Sequence, residues 1–137
     1  MLDNSPWVSL LERYETGDFL VIPLTSRKQL RREGKAMDHC VVSFAWECRL
    51  GVVRIFSIQH AFDGRRATLS LQLNNGWWDV SECTGYSNCN VLTDYADYDA
   101  EWDMMDVNYP SDIKYLSEDV ATRYNRANAL LKKRIPV

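Results

Sequence analysis

The chain of 137 residues contains no apolar run approaching the roughly 18 residues that a membrane-spanning helix needs. Its first residues, Met1 to Trp7, hold neither a basic cluster nor an apolar stretch before a small-residue cleavage site, so no secretory leader is expected and the reducing cytoplasm is the expected compartment. Cysteine is sparse. Cys40, Cys48, Cys83 and Cys89 in a reducing compartment do not suggest a disulfide framework, which leaves packing, metal binding or catalysis. With four prolines and six glycines the chain is not low-complexity, and neither a repeat nor a linker divides it, so residues 1–137 are expected to form one domain. The most informative absence is of positive charge. Between Ala67 and Ile113 there are nine acidic residues and no lysine or arginine, although the whole chain carries only −3. Such segregation produces a local negative field that the net charge conceals.

Local preferences assign most of the remaining chain. Pro6 after Ser5, with Trp7, Leu10, Leu11 and Tyr14 at helical spacing, predicts a short first helix ending near Gly17. Phe19–Leu24 is compact and β-branched and reads as a strand. Arg27–Ala36 reads as a helix capped by Thr25 or Ser26, with Arg27, Lys28, Arg31, Arg32 and Lys35 along one side. A break precedes a second helical stretch that opens at His39-Cys40, with Asp38 as its N-cap, and stops at Gly51. Val52–His60, Arg66–Leu73 and Trp77–Cys83, separated by Asp63-Gly64 and Asn74-Asn75-Gly76, form an antiparallel meander. Alternation of Thr68, Ser70 and Gln72 with Ala67, Leu69 and Leu71 gives that sheet one apolar face, packed on helices, and one more polar face. Trp77 and Trp78 must point opposite ways, one buried and the other covered by the acidic segment or by a partner. Residues 84–111 show no clean period and read as an ordered, irregular segment. A final helix follows, with Ile113, Leu116, Val120, Tyr124, Ala127 and Leu131 along one side. The expected class is α+β, a three- to four-stranded mainly antiparallel sheet packed on helices, with a long C-terminal helix.

The string Leu24-Thr25-x4-Leu30-x2-Glu33-Gly34-x2-Met37-x-His39-Cys40-Val41, followed by Gly51, Arg54-Ile-Phe-Ser57, Arg66-Ala-Thr-Leu69 and Gly85-x2-Asn88, resembles the PcfJ-like domain over roughly residues 20–90. The resemblance implies a mobile-element context, in plasmids, conjugative elements or phages, but brings no defined reaction. Family members are often longer, and where they commonly have tyrosine this chain has Phe44.

Four constellations carry candidate chemistry. Cys40 in a first helical turn, with His39 or His60 as base and Asn88 as orienting or oxyanion group, would make a cysteine hydrolase or transferase. Against it, adjacent residues on a helix diverge by about 100°, and a buried cysteine is ordinarily a small apolar residue. His39, Cys40, Cys83 and Cys89 supply zinc-type ligands at spacings unlike those of zinc motifs, so no cofactor is expected. The basic side of 27–35 suits a phosphate backbone, but no nucleic-acid motif accompanies it and a solvated face is the ordinary alternative. In the fourth, Asp94, Asp97, Tyr98, Asp99, Glu101, Trp102, Asp103 and Asp106 mix carboxylates with aromatic groups, and no EF-hand pattern orders them. The expectation is a non-enzymatic interaction module that binds a protein or nucleoprotein partner through this segment, as an inhibitor or nucleic-acid mimic. The cysteine enzyme is the alternative, and the nucleic-acid binder comes third.

Overall fold

The computed structural model describes residues 5–86 and 109–134. Five strands form one antiparallel sheet in chain order: β1 (Tyr14–Thr16), β2 (Phe19–Leu24), β3 (Val53–His60), β4 (Arg66–Asn74) and β5 (Trp77–Thr84). Between β2 and β3 the chain leaves the sheet through α1 (Arg27–Met37), a 3-10 turn (Val41–Phe44) and α2 (Ala45–Leu50). The last described element is α3 (Tyr109–Arg134). The fold is α+β as the patterning implied, with one strand more than expected.

The extra strand stands where a first helix was expected. Residues 5–13 form no regular element and bend at Leu10–Leu11, and their polar groups find partners far away in sequence. The Trp7 amide donates to the Thr25 carbonyl at 2.9 Å, the Trp7 indole N–H to the Leu24 carbonyl at 3.1 Å, and the Leu10 amide to the Tyr124 hydroxyl at 3.1 Å. A helix would have satisfied those amides locally and left the buried indole without its sheet contact. β1 faces only residues 19–21 of β2, so Pro23 lies beyond its reach, at a position where a missing N–H is tolerated.

Alternation along β3 and β4 creates two cores. On one face Phe56, Ile58, Leu69 and Leu71 meet Ile113, Leu116, Val120 and Tyr124 of α3. On the other, Val53 and Ile55 meet Leu30, Val41, Ala45 and Cys48 from the α1–α2 layer. Both sheet faces are therefore covered, and the polar row of β4 lies under helices: Thr68 and Ser70 are buried. The expectation that only the apolar face packs on helices is corrected accordingly.

Local chemistry shapes the return from α1. Ser26 caps it, its side chain accepting from the Gln29 amide at 3.1 Å. Asp38, expected to begin the next helix, instead ends this one in the left-handed conformation (φ 54°), its N–H directed to the Gly34 carbonyl. The His39 amide bonds the same carbonyl at 2.9 Å. That sharp return carries the His39 carbonyl over Gly34, where a Cβ would stand 2.6 Å from its oxygen, so only glycine fits.

At the far end, Asn75 and Gly76, both with positive φ, turn β4 into β5. β5 is the last strand of the sheet, and Asn125 of α3 meets it: its Oδ1 accepts from the Trp78 amide and its Nδ2 donates to the Trp78 carbonyl, both at 2.8 Å. Trp78 is buried beside Tyr124, whereas Trp77 is 59% exposed. The acidic segment expected to cover it lies outside the described residues.

Candidate functional site

The junction between α1 and the 3-10 turn meets β4 through a chain of charged and polar groups. Glu33 sits on the buried side of α1 with Leu30, Gly34 and Met37, and only 1% of its surface is exposed. Its Oε1 accepts from Arg66 Nη2 at 2.5 Å and its Oε2 from the Thr68 hydroxyl at 2.6 Å. Thr68 Oγ1 lies 2.9 Å from His39 Nε2. Paired with Arg66, the Glu33 carboxylate accepts both bonds. Thr68 donates its single proton to Glu33 and so accepts from His39, which fixes the protonated nitrogen as Nε2. Nδ1 is the bare nitrogen. It is buried and has no hydrogen-bond partner among the described residues.

Above this chain lies a cavity of about 190 Å³ lined by His39, Cys40, Val41, Phe44, Ile55, Thr68, Ser70, Glu82 and Thr84. Val41 and Phe44 approach from the α1–α2 layer, and the sheet beneath supplies Ile55, the hydroxyls of Thr68, Ser70 and Thr84, and the Glu82 carboxylate. Glu82 pairs with Ser70 in the ladder and so rises from the same sheet face. The Ser70 hydroxyl has one long contact, 3.5 Å to the Glu82 carbonyl.

The proposed catalytic set is only partly brought together. His39 and Cys40 line the same cavity, but Cys40 precedes the 3-10 turn and is exposed, so it does not occupy the first turn of an α-helix and receives no helix-dipole assistance there. His60 lies at the end of β3 on the opposite sheet face, packed edge-on against Phe19 at 4.9 Å, and cannot serve Cys40. Its Nδ1 lies 3.1 Å from the Phe62 and Asp63 amides and equally close to Asp63 Oδ1. Arg54 also belongs to the α3 side, donating to the Tyr124 hydroxyl at 3.1 Å and to the Cys48 and Val53 carbonyls at 2.8 Å. Asn88 lies outside the described residues.

The zinc set fails on the same geometry. Cys83 belongs to the core against α3, across the sheet from His39 and Cys40, and Cys89 lies outside the described residues. No cluster of three or more metal-ligating side chains exists among the described residues. Burial pushes the thiols of Cys48 and Cys83 up to about 12, as expected of packing residues.

Lys28, Arg31, Arg32 and Lys35 do form an exposed row on α1, with Arg27 half-buried at its start. Glu33, the acidic residue of that helix, turns inward to Arg66. Asp94, Asp97, Tyr98, Asp99, Glu101, Trp102, Asp103 and Asp106 lie outside the described residues. At the two borders of that segment, Trp77, Asp79, Glu82 and Tyr86 before it and Asp112 and Tyr115 after it are all exposed. No described helix is long and apolar enough to cross a membrane.

Sequence reasoning missed Glu33, Arg66 and Thr68 as a unit. A signal was present, since Glu33 falls at i+3 from Leu30 and i−4 from Met37, on the buried side of an otherwise basic helix. The site also explains the sequence string that drew notice. Glu33 anchors, Gly34 admits the returning backbone, Met37 and Val41 pack, His39 ties the return to Thr68, and Cys40 faces the cavity. No curated protein and no solved structure matches the chain. The PcfJ-like protein family model matches residues 10–98, further than the resemblance alone indicated and reaching into the acidic segment as far as Tyr98. With the match covering most of the chain, the protein belongs to the PcfJ-like family.

Proposed function

We propose that this chain is a non-enzymatic interaction module of a plasmid or phage, acting in the host cytoplasm on a protein or nucleoprotein partner through an acidic, aromatic surface. The carrying observation is the border of the base-free stretch. Both of its described ends present exposed aromatic rings beside exposed carboxylates, namely Trp77, Asp79, Glu82 and Tyr86 on one side and Asp112 and Tyr115 on the other. Asp112 approaches Arg65 at 3.8 Å, whereas Asp79 and Glu82 have no ion pair among the described residues; aromatic rings supply contact area, and such carboxylates select a basic partner or imitate the phosphates of a nucleic acid. The candidate catalytic groups favour the same reading, because His39 is tied to Thr68 while His60 faces the other way.

The test is capture of a discrete partner by the tagged full chain at moderate salt. Combining Asp97→Asn, Asp99→Asn, Glu101→Gln and Asp103→Asn should remove that partner, and retention of it would overturn the reading. A second reading, Cys40 as a nucleophile with His39 beside it, is favoured by the exposure of Cys40 on a cavity that His39 also lines. Alkylation of Cys40 with the pH dependence of an ordinary thiol, near about 8.5, would sink it. A third, nucleic-acid binding by Lys28, Arg31, Arg32 and Lys35, draws on their exposure and requires affinity that falls steeply with salt.

A further inference from the structure

The cavity at the α1 junction has unlike walls, and its polar one is short of donors. His39 Nε2 and the Thr68 hydroxyl are used within the protein. The Thr84 hydroxyl and the Glu82 carboxylate have no side-chain hydrogen bond or ion pair among the described residues, and Ser70 has only its long contact to a carbonyl. A carboxylate accepts only, and two hydroxyls beside it are free to accept as well. No lysine or arginine occurs on β5 or anywhere to Ile113 to neutralise Glu82. Ile55 lies beside Ser70 on the same sheet face, and Val41 and Phe44 of the α1–α2 layer face these acceptors.

The size narrows the occupant further. A benzene-sized group occupies a cavity of about 150 Å³, and larger organic ligands take roughly 300–1,000 Å³. At about 190 Å³ this cavity suits one side chain or one ring. A cation is favoured by Glu82, and a flat one by the aromatic ring of Phe44 facing several acceptors. A guanidinium has both properties. It presents five N–H donors in a plane, lies well on an aromatic face, and sheds water more readily than a compact ammonium.

We infer that the cavity receives a guanidinium group, an arginine side chain of the basic partner, with its N–H edge on Glu82, Ser70 and Thr84 and its face against Phe44. This deepens the interaction reading and rests on it for the identity of the bearer, but the site itself can be tested without any partner.

The experiment is a two-dimensional amide NMR titration of the whole chain with butylguanidinium chloride, beside butylammonium chloride, neutral butylurea and adenosine at matched ionic strength. Butylguanidinium should give saturable shifts confined to Cys40, Phe44, Ser70, Thr84 and their neighbours, and should bind more tightly than the other three. Glu82→Gln should weaken it by roughly tenfold, the size expected for loss of a charge-assisted pair. Glu82 is exposed, so this substitution leaves the core intact, which the unchanged remainder of the spectrum verifies. Scattered or unsaturable shifts, equal binding of butylurea, preference for butylammonium or adenosine, or indifference to Glu82→Gln would each overturn the site. The partner reading fails separately: capture that survives neutralisation of Asp97, Asp99, Glu101 and Asp103 removes it, and a saturable cavity would then stand alone.

Discussion

Glu33 shows what a single charged residue can do when a helix turns it inward. An unpaired buried carboxylate costs several kcal/mol, and two strong hydrogen bonds, one from a guanidinium, offset that cost here. Glu33→Ala would leave Arg66 and Thr68 without their acceptor and should lower unfolding free energy by about 3–5 kcal/mol. Glu33→Leu combined with Arg66→Met should cost less than either change alone, because no charge is then left behind. Urea unfolding of the three variants measures this, and additive losses would contradict the coupling. The histidine makes a separate spectroscopic prediction. Side-chain nitrogen NMR of His39 at a pH where the ring is neutral should report a proton on Nε2 and none on Nδ1, and Thr68→Val should abolish that fixed preference. Tyr14 is the opposite case. Its hydroxyl is buried without a partner among the described residues, and burial together with nearby Asp119 pushes its pKa up to about 12. Tyr14→Phe removes that idle oxygen but keeps the ring under Arg123, so stability should stay level or rise.

At the scale of elements, periodicity was a good guide wherever a segment's bonding is internal. α1 and the β3–β4–β5 meander lie within a residue or two of their expected limits, because caps, turns and alternation are local properties. It misled for residues 7–14, whose spacing suits a helix but whose polar groups bond to Thr25, Leu24 and Tyr124. Nothing within that window announces partners so distant. The same limit hid the site. Cys40 and His39 were conspicuous as residue types, but Thr68 looked like one member of a polar strand face, and only the packing of α1 over β4 makes it a relay between Glu33 and His39. The N-terminal segment should therefore contribute to stability out of proportion to its lack of regular structure. Trp7→Ala should cost about 3–5 kcal/mol in urea unfolding, the range for emptying a buried aromatic site. A loss below about 1 kcal/mol would mean that the segment merely lies on the surface.

For the whole molecule, titration of the interior sets the alkaline limit. Cys48 and Cys83 have folded pKa values near 12 against an ordinary 9.0, so the native state holds protons that the unfolded chain gives up. Unfolded chains then bind fewer protons, and stability falls as pH rises from about 9 towards 12. Below 9 the contribution is complete and flat. Urea midpoints between pH 8 and 11 should decline, and Cys48→Ala with Cys83→Ala should reduce the slope even though the variant starts less stable. An unchanged slope would assign the decline to other groups.

The pairing of Asn125 with Trp78 has a consequence for how the molecule is made. One amide side chain does for β5 what a sixth strand would do, occupying an N–H and a carbonyl that otherwise offer a template to another chain. It lies 47 residues downstream of the backbone it seals. During synthesis the five described strands can therefore be paired before Asn125 is available, and the protein passes through an interval in which a neighbouring nascent chain competes with its own last helix for the Trp78 backbone. Asn125→Leu should prolong that interval, giving normal yields at low expression and aggregates at high expression, whereas an ordinary core lesion would lower yield at both.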